Sequence, residues 1–267
     1  MVLCLIVSIL PHADAEESKH HVLEADKIQT MFNRYISENG LNPDIISVGY
    51  VYTATGESWY YNADKWYYSA SLYKVPLMML YAEQEYNGEL KSDSELLGTT
   101  LDRLEEAVLT YSDNDLAYAA LIRLAEPVEA RRMFQRYSEL PEDYYLWNFY
   151  SYSDFTARFM TDVMNSLYQN PERFPRVIDH LKDAHPGHFF HLSLGEDDLV
   201  IAQKYGSYHD GDGNDWNHTA GIIFTPNPFI LTVMTRYGGI SENIIGDLAR
   251  LFRDYTLEAD LQLQNID

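Results

Sequence analysis

The chain has 267 residues, of which 46% are hydrophobic and 22% are charged. This length and this hydrophobic share fit a folded globular protein with an ample core, and they exclude a mainly disordered chain. Acidic residues number 41 against 19 basic ones, so the formal net charge is −22. Because such a surface repels phosphate groups, neither nucleic acid nor anionic lipid is an expected partner.

The first fifteen residues have the pattern of a secretory signal peptide. The apolar run 2–10 is too short to span a membrane, and Ala13-Asp14-Ala15 places small residues at a cleavage site. No Lys or Arg precedes the run, so a buried N-terminal element and a start further upstream are the alternatives. We expect cleavage after Ala15 and export, with no membrane span in the mature chain. Cys4 lies in this segment and is the single cysteine, so disulfides and thiol catalysis would be absent after cleavage.

Hydrophobic periodicity predicts, in chain order, a helix, two strands, a block of helices, three strands and a final helix. The first helix contains residues 28–36 and ends at Asn39-Gly40, and the first hairpin pairs residues 46–53 with 58–62. The central helical patterns cover residues 71–86, 101–110, 114–125, 127–137, 154–168 and 172–183. The last strands are predicted at residues 198–205, 218–225 and 229–236, and the last helix begins near Ser241.

This order of elements predicts an α+β fold, an α/β sandwich in which N- and C-terminal helices flank a five-stranded antiparallel sheet. We expect residues 16–267 to form one catalytic domain. Its α/β lobe would comprise about residues 22–68 and 190–267, and its helical lobe about residues 69–189. The two lobes would share a cleft, where ligand sites commonly form. Nothing resembles a coiled coil or an extended docking helix, so a monomer is expected.

The first chemical signal is Ser71-Leu72-Tyr73-Lys74, at the start of a predicted helix. Residues three apart share one face of a helix, so the Ser71 hydroxyl and the Lys74 amine would meet. The helix N-terminus adds free N–H groups and a positive dipole, which favour a neutral lysine and a developing alkoxide. Alone the pattern is weak, because serine is a common helix cap.

Two further motifs follow. Ser112-Asp113-Asn114 lies between two helical stretches, where a hydroxyl and an amide can face a cleft, although by itself it is an ordinary capping sequence. Lys204-Tyr205-Gly206-Ser207 lies on the first of the C-terminal strands, and its glycine would let the backbone approach a substrate closely. The alternative interpretation of Lys204 is an edge-strand lysine.

In their order and context, these three motifs resemble those of the serine β-lactamase and penicillin-binding protein superfamily. Residues 68–76 look especially like the surroundings of the class A nucleophile, and the resemblance extends from roughly residue 26 to residue 261. It implies a serine hydrolase of the class A β-lactamase fold that acts on a β-lactam or on a cell-wall peptide. It implies no cofactor and no metal ion.

The resemblance also implies a role for each residue of the first two motifs. Ser71 would attack a carbonyl carbon and form an acyl-enzyme, and Lys74 would accept its proton, directly or through water. Ser112 would relay a proton to the departing nitrogen. Asn114 would orient Lys74 and the substrate amide, whereas Asp113 is expected to be structural.

On the strand motif, the resemblance implies substrate binding. Lys204 would supply positive potential for a substrate carboxylate and would polarise Ser112. Gly206 and Ser207 would lie beside the substrate. The backbone N–H groups of Ser71 and Ser207 would form the oxyanion hole.

The loop that should carry the deacylating base departs from the class A pattern. Class A enzymes place a glutamate there in a Glu-x-x-x-Asn arrangement. Residues 138–152 contain Glu139, Glu142 and Asp143, but none of these has asparagine four residues later. Without a positioned base the acyl-enzyme would be long-lived, so we expect slow β-lactam hydrolysis.

The strand motif departs as well. Tyr205 stands where the family has threonine or serine, and no arginine occurs between Lys204 and Arg236. These changes weaken the expected carboxylate site but leave the acylating residues in place. The alternative functions are therefore a D,D-peptidase acting on peptidoglycan peptides and a catalytically reduced sensor module that binds penicillin or muropeptides.

Two weaker patterns raise the question of a metal site. His185, His188 and His191 recur at intervals of three, but Pro186-Gly187 interrupts any helix that would place the first two on one face. Residues 210–215 resemble part of a calcium loop but lack its glutamate at the twelfth position. A hairpin loop explains the second pattern better, so no metal site is expected.

Overall fold

A five-stranded antiparallel sheet organises the fold, with strand order β2-β1-β9-β8-β7. The structure is a computed structural model that describes residues 23–141, 154–195, 198–211 and 215–264. Within these residues the strands are β1 (Ile46–Tyr52), β2 (Glu57–Tyr61), β3 (Tyr67–Tyr68), β4 (Glu95–Leu96), β5 (Thr99–Thr100), β6 (Asp154–Phe155), β7 (Val200–His209), β8 (Asp215–Phe224) and β9 (Phe229–Thr235). The predicted signal peptide, residues 1–15, lies outside the described residues.

Helices cover both faces of this sheet. In the described residues they are α1 (Ala25–Glu38), α2 (Lys74–Tyr86), α3 (Leu101–Leu109), α4 (Asn114–Leu124), α5 (Pro127–Phe134), α6 (Ala157–Gln169), α7 (Val177–Lys182), α8 (Phe190–Leu194) and α9 (Ser241–Gln264). The predicted α+β fold, with terminal helices against an antiparallel sheet, is confirmed. None of these helices combines the length and the apolar composition that crossing a membrane requires.

Two apolar clusters form on opposite faces of the sheet, because successive strand residues point to opposite sides. The terminal helices α1 and α9 cover one face, where Val48 and Phe252 are buried. On the other face, where Val51 is buried, α6 and α7 lie directly against the sheet, and α2, α3 and α4 complete the helical layer. Gly49 lets α6 approach the sheet closely, since a Cβ there would lie 2.1 Å from the Thr161 hydroxyl oxygen.

The structure corrects several predicted boundaries. The predicted helix 71–86 begins as a 3-10 turn, Ala70–Tyr73, before α2 starts at Lys74. The predicted helix 154–168 begins instead with β6, which pairs with β3 across Tyr67 and Phe155, and α6 starts after the Thr156 cap. A strand pairing and a side-chain cap therefore override the helical pattern at this point.

The predicted helix 172–183 is also interrupted. A 3-10 turn covers Pro171–Arg173, and α7 begins only at Val177, after Arg176 takes a left-handed φ of 65°. Pro175 explains the break, because a proline disfavours helical backbone in the residue before it. The β7–β8 hairpin is longer than predicted, and the chain turns between His209 and Asp215.

Candidate active site

Ser71 lies in the 3-10 turn that leads from β3 into α2, and Ala70 before it has a left-handed φ of 48°. His218 of β8 contacts the backbone of the segment that leads into this turn. Its Nε2 lies 3.0 Å from the Tyr68 carbonyl oxygen, and its Nδ1 accepts from the Thr235 amide at 3.0 Å. Burial lowers the pKa of His218 to about 4, so the ring is neutral at pH 7 and can donate on one side and accept on the other.

Strand β7 meets the Ser71 turn at Gly206. A Cβ at this position would lie 2.7 Å from the Ser69 carbonyl oxygen and 2.9 Å from the Ser71 amide nitrogen. Glycine therefore permits the contact that places the third motif beside the first. The next residue, Ser207, lines the cleft, and its hydroxyl hydrogen-bonds to the Asn217 side-chain oxygen at 2.6 Å.

Lys74 joins the first motif to the second. Its buried ammonium donates to the Ser112 carbonyl oxygen at 2.6 Å, to the Ser112 hydroxyl at 3.1 Å and to the Asn114 side-chain oxygen at 2.7 Å. These contacts use the three donors of a protonated lysine. Burial lowers the pKa of Lys74 to about 8, partly offset by the Asp113 carboxylate, which caps α4 by accepting from the Leu116 amide.

Ser112 is held in a strained backbone conformation, with a φ of 59°. A left-handed backbone costs a residue with a side chain about 1–2 kcal/mol. This conformation turns both the carbonyl and the hydroxyl of Ser112 toward Lys74. The Ser112 hydroxyl lies near Tyr205 and lowers the pKa of that phenol, although burial raises it more.

Lys204 lies behind the cleft rather than in its wall. Its side chain is fully buried, and its Nζ has no hydrogen-bond acceptor among the described residues. The Nζ lies 4.4 Å from the centroid of the Tyr205 ring. Burial, together with the positive charge of Lys74, lowers the pKa of Lys204 well below its ordinary value.

The cleft itself has a volume of about 310 Å³. Its described lining residues are Tyr68, Ala70, Ser71, Tyr73, Asn114, Tyr118, Ser207 and Tyr208. The structure thus brings Ser71, Asn114 and Ser207 to one surface, with Lys74 and Ser112 directly beneath it. Sequence reasoning missed Tyr118 and Tyr208; the position of Tyr118 four residues after Asn114 on α4 was the available signal, since such residues share a helix face.

Glu139 is the one carboxylate of the predicted loop that falls in the described residues, and it does not line this cleft. It lines a second pocket of about 350 Å³, together with Asp162. Burial raises the pKa of Asp162 to about 6, although the Ser138 hydroxyl donates to its carboxylate at 2.6 Å. Glu142 and Asp143 lie outside the described residues.

The three histidines of the predicted metal pattern are only partly brought together. The rings of His185 and His188 have centroids 4.1 Å apart, and His188 Nδ1 lies 3.1 Å from a Glu242 carboxylate oxygen. A different set of metal-ligand side chains converges, namely Asp102, Glu105 and His180, with ligand atoms within 4.8 Å of one another. An arginine already occupies this cluster, because Arg176 pairs with Asp102 at 3.2 Å and with Glu105 at 2.9 Å.

Comparison with known families shows which kind of protein carries these motifs. The sequence model of the Beta-lactamase enzyme family matches residues 25–256. The chain belongs to this family. The three motifs that meet at this cleft therefore lie in a member of the β-lactamase family.

Solved structures share the fold at low sequence identity. A β-lactamase from Chitinophaga pinensis DSM 2588 is 17% identical, with a TM-score of 0.71 over 86% of this chain and 99% of that one. TLA-1 extended spectrum β-lactamase is 15% identical, with a TM-score of 0.73 over 87% and 99% of the two chains. PBP-A is 16% identical, with a TM-score of 0.69 over 87% and 96%. No curated protein matches the sequence.

Proposed function

We propose that this member of the β-lactamase family is an exported serine hydrolase that forms an acyl-enzyme on Ser71. The observation that carries the proposal is the Lys74 amine, which is buried beside the cleft and hydrogen-bonded to Ser112 and Asn114. The proposed substrates are β-lactams and cell-wall peptide amides. Export rests on the signal-peptide pattern of residues 1–15.

In the proposed acylation, Lys74 acts in its neutral form. Losing one proton leaves it two N–H donors for the Ser112 carbonyl and Asn114, and frees a lone pair for the Ser71 proton. The Ser71 oxygen then bonds to the carbonyl carbon and the carbon–nitrogen bond breaks. Ser112 gives its proton to the departing nitrogen and regains one from Lys74 along their 3.1 Å contact.

The proposed oxyanion hole consists of the backbone N–H groups of Ser71 and Ser207. The close approach of Gly206 to the Ser71 amide supports this assignment, because it brings β7 against the nucleophile turn. These donors would be aimed at the negative charge that develops on the carbonyl oxygen. One such donor lowers the barrier to acyl transfer by about 2.7–4 kcal/mol.

Deacylation is proposed to be slow. Glu139 lines the second pocket with Asp162 rather than the cleft, and the sequence lacks the class A Glu-x-x-x-Asn arrangement. The same observation favours a second candidate function, a D,D-peptidase or a penicillin-binding module, since neither requires that glutamate.

Mass spectrometry of the intact protein after incubation with a fluorescent penicillin tests the nucleophile. We expect one adduct on the wild type and on the exposed-serine control Ser92→Ala, and none on Ser71→Ala. An equal adduct on Ser71→Ala would rule out the assignment. Nitrocefin hydrolysis and release of D-alanine from a wall pentapeptide then separate a lactamase from a peptidase; fast nitrocefin turnover would contradict slow deacylation.

A further inference from the structure

The cleft is uncharged. Four of its eight described lining residues are tyrosines, namely Tyr68, Tyr73, Tyr118 and Tyr208, and none of the eight is basic or acidic. The surrounding molecule has a net charge of −22. A substrate carboxylate would therefore enter against a repulsive field and find no cation in the described wall of the cleft.

The lysine that the family motif assigns to a carboxylate is out of reach. Lys204 is fully buried, and its Nζ is inaccessible and has no acceptor among the described residues. A carboxylate would have to approach within about 2.7–2.9 Å of this atom to form a charge-assisted hydrogen bond. That approach requires a neighbouring side chain to move.

Tyr205 is the neighbour that covers this nitrogen, and two aromatic rings hold it in place. Its ring stacks on Phe189 at 5.1 Å and lies edge-on to His185 at 4.7 Å. The ring centroid lies 4.4 Å from Lys204 Nζ, so an aromatic face is the neighbour of this nitrogen in place of an anion.

No substitute cation lines the described part of the cleft. Arg236 follows β9, and its guanidinium lies over the Trp216 ring at 5.5 Å. By sequence, the internal segments outside the described residues, 142–153, 196–197 and 212–214, contain neither lysine nor arginine.

We propose that Tyr205 closes the anion-binding corner beside Lys204, so that this cleft selects acyl donors that lack a carboxylate next to the scissile bond. The proposal rests on the proposed acylation of Ser71 and narrows its substrates to β-lactams and peptide amides that have no free carboxylate next to the scissile bond. Tyr205 then determines specificity.

Benzylpenicillin and its methyl ester test the proposal, because they differ only in the carboxylate charge. We expect the ester to acylate the full-length protein at least about tenfold faster than the acid at low salt, with the ratio falling as salt is added. Acylation by the acid at an equal or higher rate would overturn the inference and leave the proposed nucleophile intact.

Two substitutions of Tyr205 separate the effect of its aromatic ring from that of its hydroxyl. Tyr205→Thr opens the corner and should reduce the ester-to-acid ratio at least about threefold. Tyr205→Phe keeps the ring and loses only the hydroxyl, so it should leave the ratio unchanged. A ratio that is the same in wild type and Tyr205→Thr would count against Tyr205 as the determinant.

Binding to Ser71→Ala separates the two proposals. If neither probe labels Ser71, the proposed acylation fails, and calorimetric binding to Ser71→Ala decides the specificity. Tighter binding of the ester supports the closed corner; equal binding, tighter binding of the acid, or no binding by either probe overturns it.

Discussion

Lys74 must lose a proton before it can accept one from Ser71, and its surroundings set the pH at which it does so. Burial lowers its pKa to about 8. The proposed mechanism therefore predicts that the acylation rate rises about tenfold per pH unit below pH 8 and levels off above it. Labelling kinetics with a fluorescent penicillin between pH 6 and 10 measure this profile; a flat profile would exclude Lys74 as the base.

Asp113→Asn provides the matched control for this profile. The Asp113 carboxylate raises the pKa of Lys74, and asparagine removes the charge while remaining a good helix cap. The midpoint should move to lower pH, with little change in the melting temperature. A midpoint that stays in place would mean that the titrating group is not Lys74.

The sequence predicts the identity of the proposed acylating residues better than their surroundings. Ser71, Lys74 and Ser112 follow from motif order, because the chemistry fixes residue type and spacing. The burial of Lys204 and the contacts of Tyr205 do not follow, since they depend on packing between β7, the segment before α8 and the turn before α4. Such contacts join residues far apart in the chain and have no periodic signal.

Among the elements, β7 depends on one glycine for its position against the nucleophile turn. We predict that Gly206→Ala slows acylation at least about tenfold, because its Cβ would meet the Ser69 and Ser71 backbone at 2.7 and 2.9 Å. Moving the strand should also cost about 1–3 kcal/mol of stability. Labelling kinetics and urea unfolding measure the two effects.

Gly195→Ala is the control for this prediction, because a Cβ at position 195 would have no neighbour within 4 Å. It should leave both the labelling rate and the stability nearly unchanged. If Gly206→Ala acylates as fast as this control, the contact between β7 and the Ser71 turn does not position the oxyanion hole.

The boundaries of the elements show where strand pairing, caps and prolines override the local hydrophobic periodicity. The helical pattern at residues 154–168 is correct for α6, but Asp154 and Phe155 pair with β3 instead, because a partner strand is available there. The pattern at residues 172–183 breaks at Pro175, a signal that the sequence does contain. Periodicity thus identifies the elements, whereas prolines, caps and distant partners set their ends.

At the scale of the whole molecule, the excess of acidic over basic residues brings three acidic side chains to one arginine. Arg176 pairs with Glu85 of α2 and with Asp102 and Glu105 of α3, so one positive charge faces three carboxylates. Glu105 is the most deeply buried of the three, and burial raises its pKa to about 8 despite the arginine. The folded protein therefore keeps a proton on Glu105 that the unfolded chain releases above its ordinary pKa of about 4.3.

This difference predicts that stability falls as the pH rises. Because the folded-state pKa of Glu105 is raised, its contribution is fully present below the ordinary pKa and is lost as the pH passes through about 8. Between pH 5 and 8 we expect a decrease on the order of 3 kcal/mol in the free energy of unfolding. Glu105→Gln, which is neutral at every pH, should flatten that slope and be more stable than the wild type at pH 8.

Glu106→Gln is the control and should not flatten the slope, because Arg103 lowers the pKa of Glu106. Urea unfolding at pH 5, 6.5 and 8 compares the three proteins, and equal slopes for wild type and Glu105→Gln would show that Glu105 is ionised in the fold.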